Sequence, residues 1–180
     1  MKDTTWLFLG DSLIEFGDWQ EMFPGVLVHC RGVAGETVGG LLARLKSTVA
    51  GIDSPDLVLI MSGINNVAME DFTLIGSYEK IIQLLVTRFP QARIMITSLL
   101  PVRLPWLSDT VVPKVNNAML RRLAEQTGVT LLDIYGNFID EQGRIKGDCF
   151  LADGVHLSTQ GYRVWADALA CFLDCAREMP

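Results

Sequence analysis

Five short apolar runs rich in β-branched residues recur along the chain, near residues 5 to 9, 26 to 30, 56 to 61, 93 to 98 and 129 to 132, with longer amphipathic stretches between them. That alternation predicts parallel strands joined by crossover helices, an α/β fold. Leu74, Ile75, Tyr78, Ile81, Ile82, Leu85 and Phe89 keep a 3.6-residue spacing and predict a helix burying one face on the sheet. Val164, Trp165, Ala168, Leu169 and Phe172 repeat the pattern near the end of the chain. Further helices are predicted at 18 to 23, where Asp18 and Glu21 make a capping-box pattern, at 38 to 50, and at about 112 to 126, ending at Gly128. Runs such as Leu57-Val58-Leu59-Ile60-Met61 lack polar alternation, so helices should cover both sheet faces. The one long irregular stretch, Leu100 to Thr110 with Pro101, Pro105 and Trp106, suits a functional loop or a shielding one equally.

Polar residues fall where the predicted strands end. Strand one runs into Asp11-Ser12, strand two into Arg31-Gly32-Val33-Ala34-Gly35-Glu36-Thr37, and strand three into Ser62-Gly63-Ile64-Asn65-Asn66. Open parallel sheets bind ligands beyond the carboxyl ends of their strands, so these three loops should share one functional rim.

Composition narrows the possibilities. A length of 180 residues, 49% apolar and 20% charged, suits a single domain over 1–180 with an ample core. A formal charge of −6, with Arg121-Arg122 as the only adjacent basic pair, opposes a nucleic-acid surface, and that pair is expected on a solvated helix face. No apolar run reaches transmembrane length, and the N-terminal one is broken too early by Asp11 for a signal peptide, so a cytoplasmic protein is expected. Cys30, Cys149, Cys171 and Cys175 form no Cys-x-x-Cys pair and have no histidine at metal-ligand spacing; they are expected to be buried free thiols.

Candidate chemistry centres on Ser12, where the first strand stops. Ser12-Leu13-Ile14-Glu15 reads as a capping box, with the serine capping a helix and Glu15 reaching back. It reads equally as a nucleophile delivered to the sheet edge, which would need a base and a group orienting that base. Of the two histidines, His29 sits in an apolar strand, while His156 follows Asp153 by three residues in Asp153-Gly154-Val155-His156. A tight turn there would let Asp153 accept from one imidazole nitrogen and leave the other for Ser12, although Asp-Gly alone also marks a plain turn. Gly35 could aim a backbone N–H at a developing oxyanion and Asn65 could add a side-chain amide, though both residue types are also common turn formers.

Gly10-Asp11-Ser12-Leu13, Gly35 within Gly32 to Thr37, Gly63-Ile64-Asn65-Asn66 and Asp153-Gly154-Val155-His156-Leu157 resemble, in order, the four blocks of the SGNH or GDSL hydrolase superfamily. The resemblance implies a three-layer α/β/α flavodoxin-like fold with a five-stranded parallel sheet. It implies Ser12 as nucleophile, His156 as base supported by Asp153, and an oxyanion hole from the Ser12 and Gly35 N–H groups and the Asn65 side chain. The family usually has aspartate where Asn66 stands, a position expected to support the loop. Ile14 stands where an α/β-hydrolase elbow would require glycine. Length and the Asn116-containing helix look most like the platelet-activating-factor-acetylhydrolase-like branch.

The expected activity is hydrolysis of carboxylic esters of short acyl groups through an acyl-enzyme, with a small-molecule ester as partner and no metal or organic cofactor required. Thioesterase or lysophospholipase action, acyl transfer to a hydroxyl, and a non-catalytic or flavin-binding domain are the alternatives. Asp11 and Glu15 would repel a flavin phosphate. Phe16, Trp19 and Leu104-Pro105-Trp106-Leu107 could line an acyl pocket or simply pack.

Overall fold

The computed structural model describes residues 4–123 and 128–178. Its five strands are β1 (Thr5–Gly10), β2 (Leu27–Gly32), β3 (Leu57–Met61), β4 (Arg93–Thr97) and β5 (Val129–Leu132). All pair in parallel, in the order β2-β1-β3-β4-β5. This is the flavodoxin-like order, in which the chain moves outward from β1 to β2 and then returns to the other side of β1 as β3. The crevice at that reversal opens between the carboxyl ends of β1 and β3.

The helices are α1 (Ser12–Glu15), α2 (Trp19–Met22), α3 (Val38–Thr48), α4 (Ile64–Ala68), α5 (Leu74–Arg88), α6 (Val111–Leu123) and α7 (Thr159–Glu178). Short 3₁₀ turns add Tyr135–Phe138 and Gly147–Cys149. The last residues expected in the helix from 112 to 126 lie outside the described residues. Helices α3, α5 and α6 contact one another in sequence and form one layer. On the opposite face, Trp6 and Phe8 of β1 meet Phe23 and Trp19, and Trp19 meets Trp165 and Tyr162 of α7.

Alternating side chains of β1 therefore face two different layers. Leu7, Phe8, Leu9 and all five residues of β3 are buried, as their unbroken apolar pattern requires. Each such side chain contributes about 1.5–3 kcal/mol of transfer free energy, which makes the two central strands the rigid base beneath the rim.

Two expectations need correction. Ser12 is not the cap of the first helix: Asp11 is, its Oδ1 accepting from Leu13 N–H at 3.1 Å. Glu15 does not reach back along its own helix, because its Oε2 accepts from Ala34 N–H instead. The expectation of buried thiols holds for Cys149 alone, since Cys30 is half-buried and Cys171 and Cys175 lie on the exposed side of α7. Arg122 is solvated as expected, its guanidinium pairing with Glu79 at 2.7 Å. Among the described residues no helix is long and apolar enough to cross a membrane, and no cluster of His, Cys, Asp and Glu could hold a metal ion.

Candidate active site

Ser12 is the first residue of α1 and is almost fully buried. It reaches that place because β1 ends at Gly10 and Asp11 turns the chain into the helix. The far end of α1 is tied down from three directions: the Trp19 indole N–H donates to Ile14 O at 2.7 Å, the Cys30 thiol to the same oxygen, and the Tyr162 hydroxyl to Leu13 O at 3.1 Å. A four-residue helix cannot hold itself, so these tertiary bonds fix the orientation of the serine.

His156 arrives from the loop before α7. Its Nε2 lies 3.0 Å from Ser12 Oγ, and its Nδ1 lies 2.7 Å from Asp153 Oδ2. The second Asp153 oxygen accepts from Val155 N–H and His156 N–H, each at 2.9 Å, so one carboxylate both shapes the turn and faces the ring. Desolvation pushes the Asp153 carboxyl upward, but the hydrogen bonds from the His156 ring and the two N–H groups outweigh it and hold the pKa at about 2.

The turn closes on itself through Leu151 N–H to His156 O, and through a bridge between Phe150 and Leu157. Gly154 has φ of +73°, and a Cβ there would fall 2.7 Å from Arg103 Cβ. Arg103 N–H donates to Gly154 O at 2.8 Å. The irregular stretch after β4 thus braces the Asp153–His156 turn from behind.

The two other predicted donors stand across the rim. Gly35 has φ of +75° with open space where a side chain would be. Asn65, in the first turn of α4, donates one amide hydrogen to Glu36 O at 2.9 Å and has a second to offer. Asn66 is buried and joins two segments: its Oδ1 accepts from Val38 N–H at 2.9 Å and its Nδ2 donates to Asp71 Oδ2 at 2.7 Å. An aspartate could make the first of these bonds but would repel Asp71, so asparagine here and the acid five residues on belong together.

Of the apolar residues weighed for an acyl pocket, Trp19 is fully buried and packs the core, which removes it. Phe16 is 56% exposed with its ring 5.5 Å from the His156 imidazole, so it stands at the mouth of the site. Trp106 is exposed, its indole donating to Ala68 O at 3.3 Å.

Sequence reasoning overlooked the electrostatics of Asp11. It is 1% exposed, its Oδ2 meets no partner among the described residues, and Gly63 N–H faces the carboxyl without completing a hydrogen bond. Burial pushes its pKa up to about 7, against the pull of the Leu13 and Gly63 N–H groups and of His156. The available signal was an acid one glycine after the apolar run Trp6 to Leu9.

The chain matches the GDSL-like lipase/acylhydrolase family over residues 8–164. It is 33% identical over 167 residues to platelet-activating factor acetylhydrolase IB subunit alpha2 of Rattus norvegicus, covering 89% of this chain and 72% of that protein. Among solved structures it resembles a Streptococcus pneumonia protein whose description relates it to platelet activating factor, with a TM-score of 0.87 and 25% identity over 96% of this chain and 85% of that one. An acetyl xylan esterase from Geobacillus stearothermophilus shares the fold, with a TM-score of 0.74, 19% identity and 93% of each chain covered. This protein belongs to the GDSL-like lipase/acylhydrolase family and is a carboxylic ester hydrolase.

Proposed function

We propose that the protein hydrolyses short-acyl esters through a Ser12-His156-Asp153 triad. The observation that carries this is the unbroken chain from Asp153 Oδ2 to His156 Nδ1 at 2.7 Å and from His156 Nε2 to Ser12 Oγ at 3.0 Å. Ser12 Oγ attacks the ester carbonyl as His156 Nε2 takes its proton, forming a C–O bond and placing negative charge on the carbonyl oxygen. That oxygen is received by the Ser12 and Gly35 N–H groups and the free hydrogen of the Asn65 amide, donors fixed before the charge develops. The tetrahedral intermediate expels the alkoxide, which leaves with the proton from His156. Water then attacks the acyl-enzyme, His156 taking its proton and returning it to Ser12.

Asp153 keeps Nδ1 protonated and stabilises the imidazolium formed in each step. With a pKa of about 2 it stays ionised across the neutral range. Short acyl groups are favoured because the relatives act, by their names, on acetyl esters, and because the Phe16 ring stands 5.5 Å from the His156 ring at the mouth of the site. A panel of p-nitrophenyl esters from acetate to decanoate should give the highest kcat/KM at two to four carbons, and a fluorophosphonate should label Ser12. Ser12→Ala should lose at least 10³-fold in kcat; retained activity would overturn the triad, and a longer-chain optimum the acyl preference alone.

A further inference from the structure

The segment carrying Gly35 is held by a charged clamp whose arginine lies outside the four sequence blocks. Arg44, two turns into α3, meets both oxygens of Glu36, Nε to Oε1 at 2.5 Å and NH2 to Oε2 at 2.6 Å. The same guanidinium donates to Arg31 O at 2.9 Å at the end of β2, to Gly10 O at 3.4 Å at the end of β1, and to Thr48 Oγ1 at 2.9 Å. The pair is largely withdrawn from solvent, with the Glu36 side chain only 9% exposed. Glu36 in turn follows Gly35 directly, and its backbone oxygen is the acceptor that orients the Asn65 amide.

We propose that Arg44, acting through Glu36, is a positioning residue for catalysis: it fixes the Gly35 N–H and the Asn65 amide at the spacing an oxyanion requires. This rests on the oxyanion role given above to Asn65 and Gly35. The planar fork explains why the residue is arginine, since lysine offers a single donor head and cannot span a carboxylate and three other oxygens together. A preset donor pair acts on the transition state rather than the bound ester, so its misalignment lowers kcat and leaves KM.

The test is a kinetic cycle on p-nitrophenyl acetate with Arg44→Met, Asn65→Ala and both together, and with the paired replacement Arg44→Met/Glu36→Met. The paired variant removes the clamp without stranding a buried charge, and buried ion pairs replaced in this way by apolar residues generally keep the fold. Both clamp variants should lose roughly tenfold or more in kcat with KM within twofold, a fraction of the 10²–10³ that one oxyanion donor supplies. In the Asn65→Ala background, Arg44→Met should lower kcat by a smaller factor than in the wild type, because one of the two donors it positions is already gone. Arg44→Lys should not restore activity. Fully additive losses, a change confined to KM, or wild-type kcat in the paired variant would overturn the positioning role alone. An unchanged kcat in Asn65→Ala would overturn the oxyanion reading and this inference with it.

Discussion

Asp11 sits directly before Ser12 as a buried acid that holds its proton in the folded state at a pH where the unfolded chain has lost it. Its ordinary value of 3.8 rises to about 7 on folding, chiefly through burial. Folded protein therefore binds more protons than unfolded protein between these values, and stability must fall as pH rises through that window. The contribution is fully present below about pH 4 and lost once pH passes about 7. At about 1.36 kcal/mol for each tenfold change in proton affinity, the loss is about 4 kcal/mol, an upper figure for a side chain that can relax. Asp11→Asn keeps an oxygen for Leu13 N–H and replaces the acid by a group that never ionises. Urea unfolding at constant ionic strength from pH 4.5 to 8.5 should therefore show the variant gaining on the wild type as pH rises, by several kcal/mol in total. Contributions shared by both proteins cancel in this difference. A stability difference constant to within 0.5 kcal/mol across the range would refute the assignment of a proton to Asp11. The acid-side behaviour of Asp153 does not interfere, because its depressed value places its loss of stability below about pH 4, as pH falls toward 2.

Two further outcomes follow from close contacts. Gly154→Ala combines positive φ with a Cβ 2.7 Å from Arg103 Cβ, so it should lower the melting temperature by the equivalent of about 1–3 kcal/mol and reduce kcat as the His156 turn shifts; unchanged values of both would show that Arg103 yields freely. Asn66→Asp should destabilise the protein above pH 5 by about 1–3 kcal/mol by opposing two carboxylates, and Asn66→Asp/Asp71→Asn should recover most of that loss in thermal unfolding, whereas failure of the second change to rescue would refute the pairing.

The sheet was legible because its central strands are nearly unbroken apolar runs, and α5 and α7 because their stripes persist for several turns. Helices α1 and α4, of four and five residues, carry no period and depend on distant partners, α1 on Trp19 and Tyr162 and α4 on Glu36 and Val38. The Asp153–His156 turn could be read from its own spacing, whereas its meeting with Ser12 rested on the resemblance of the sequence blocks and not on a local pattern. The hydrogen bonds around the site could not be read, since they join residues with no shared pattern: Glu15 to Ala34, Asn66 to Asp71, Arg103 to Gly154. The cap reading of Ser12 failed for a related reason. Asp11 and Ser12 are both good caps, and only the backbone geometry at the end of β1 decides between them.

The bond from the Tyr162 hydroxyl to Leu13 O spans 149 residues, and the one from His156 to Ser12 spans 144. Both need a stretch of chain that is synthesised after every strand of the sheet. A ribosome-bound chain lacking that stretch can form β1 and expose Ser12, yet it has neither His156 nor the tie that steadies the serine turn. Esterase activity should therefore switch on abruptly as α7 emerges and docks, making the onset of turnover a report on completion of the fold.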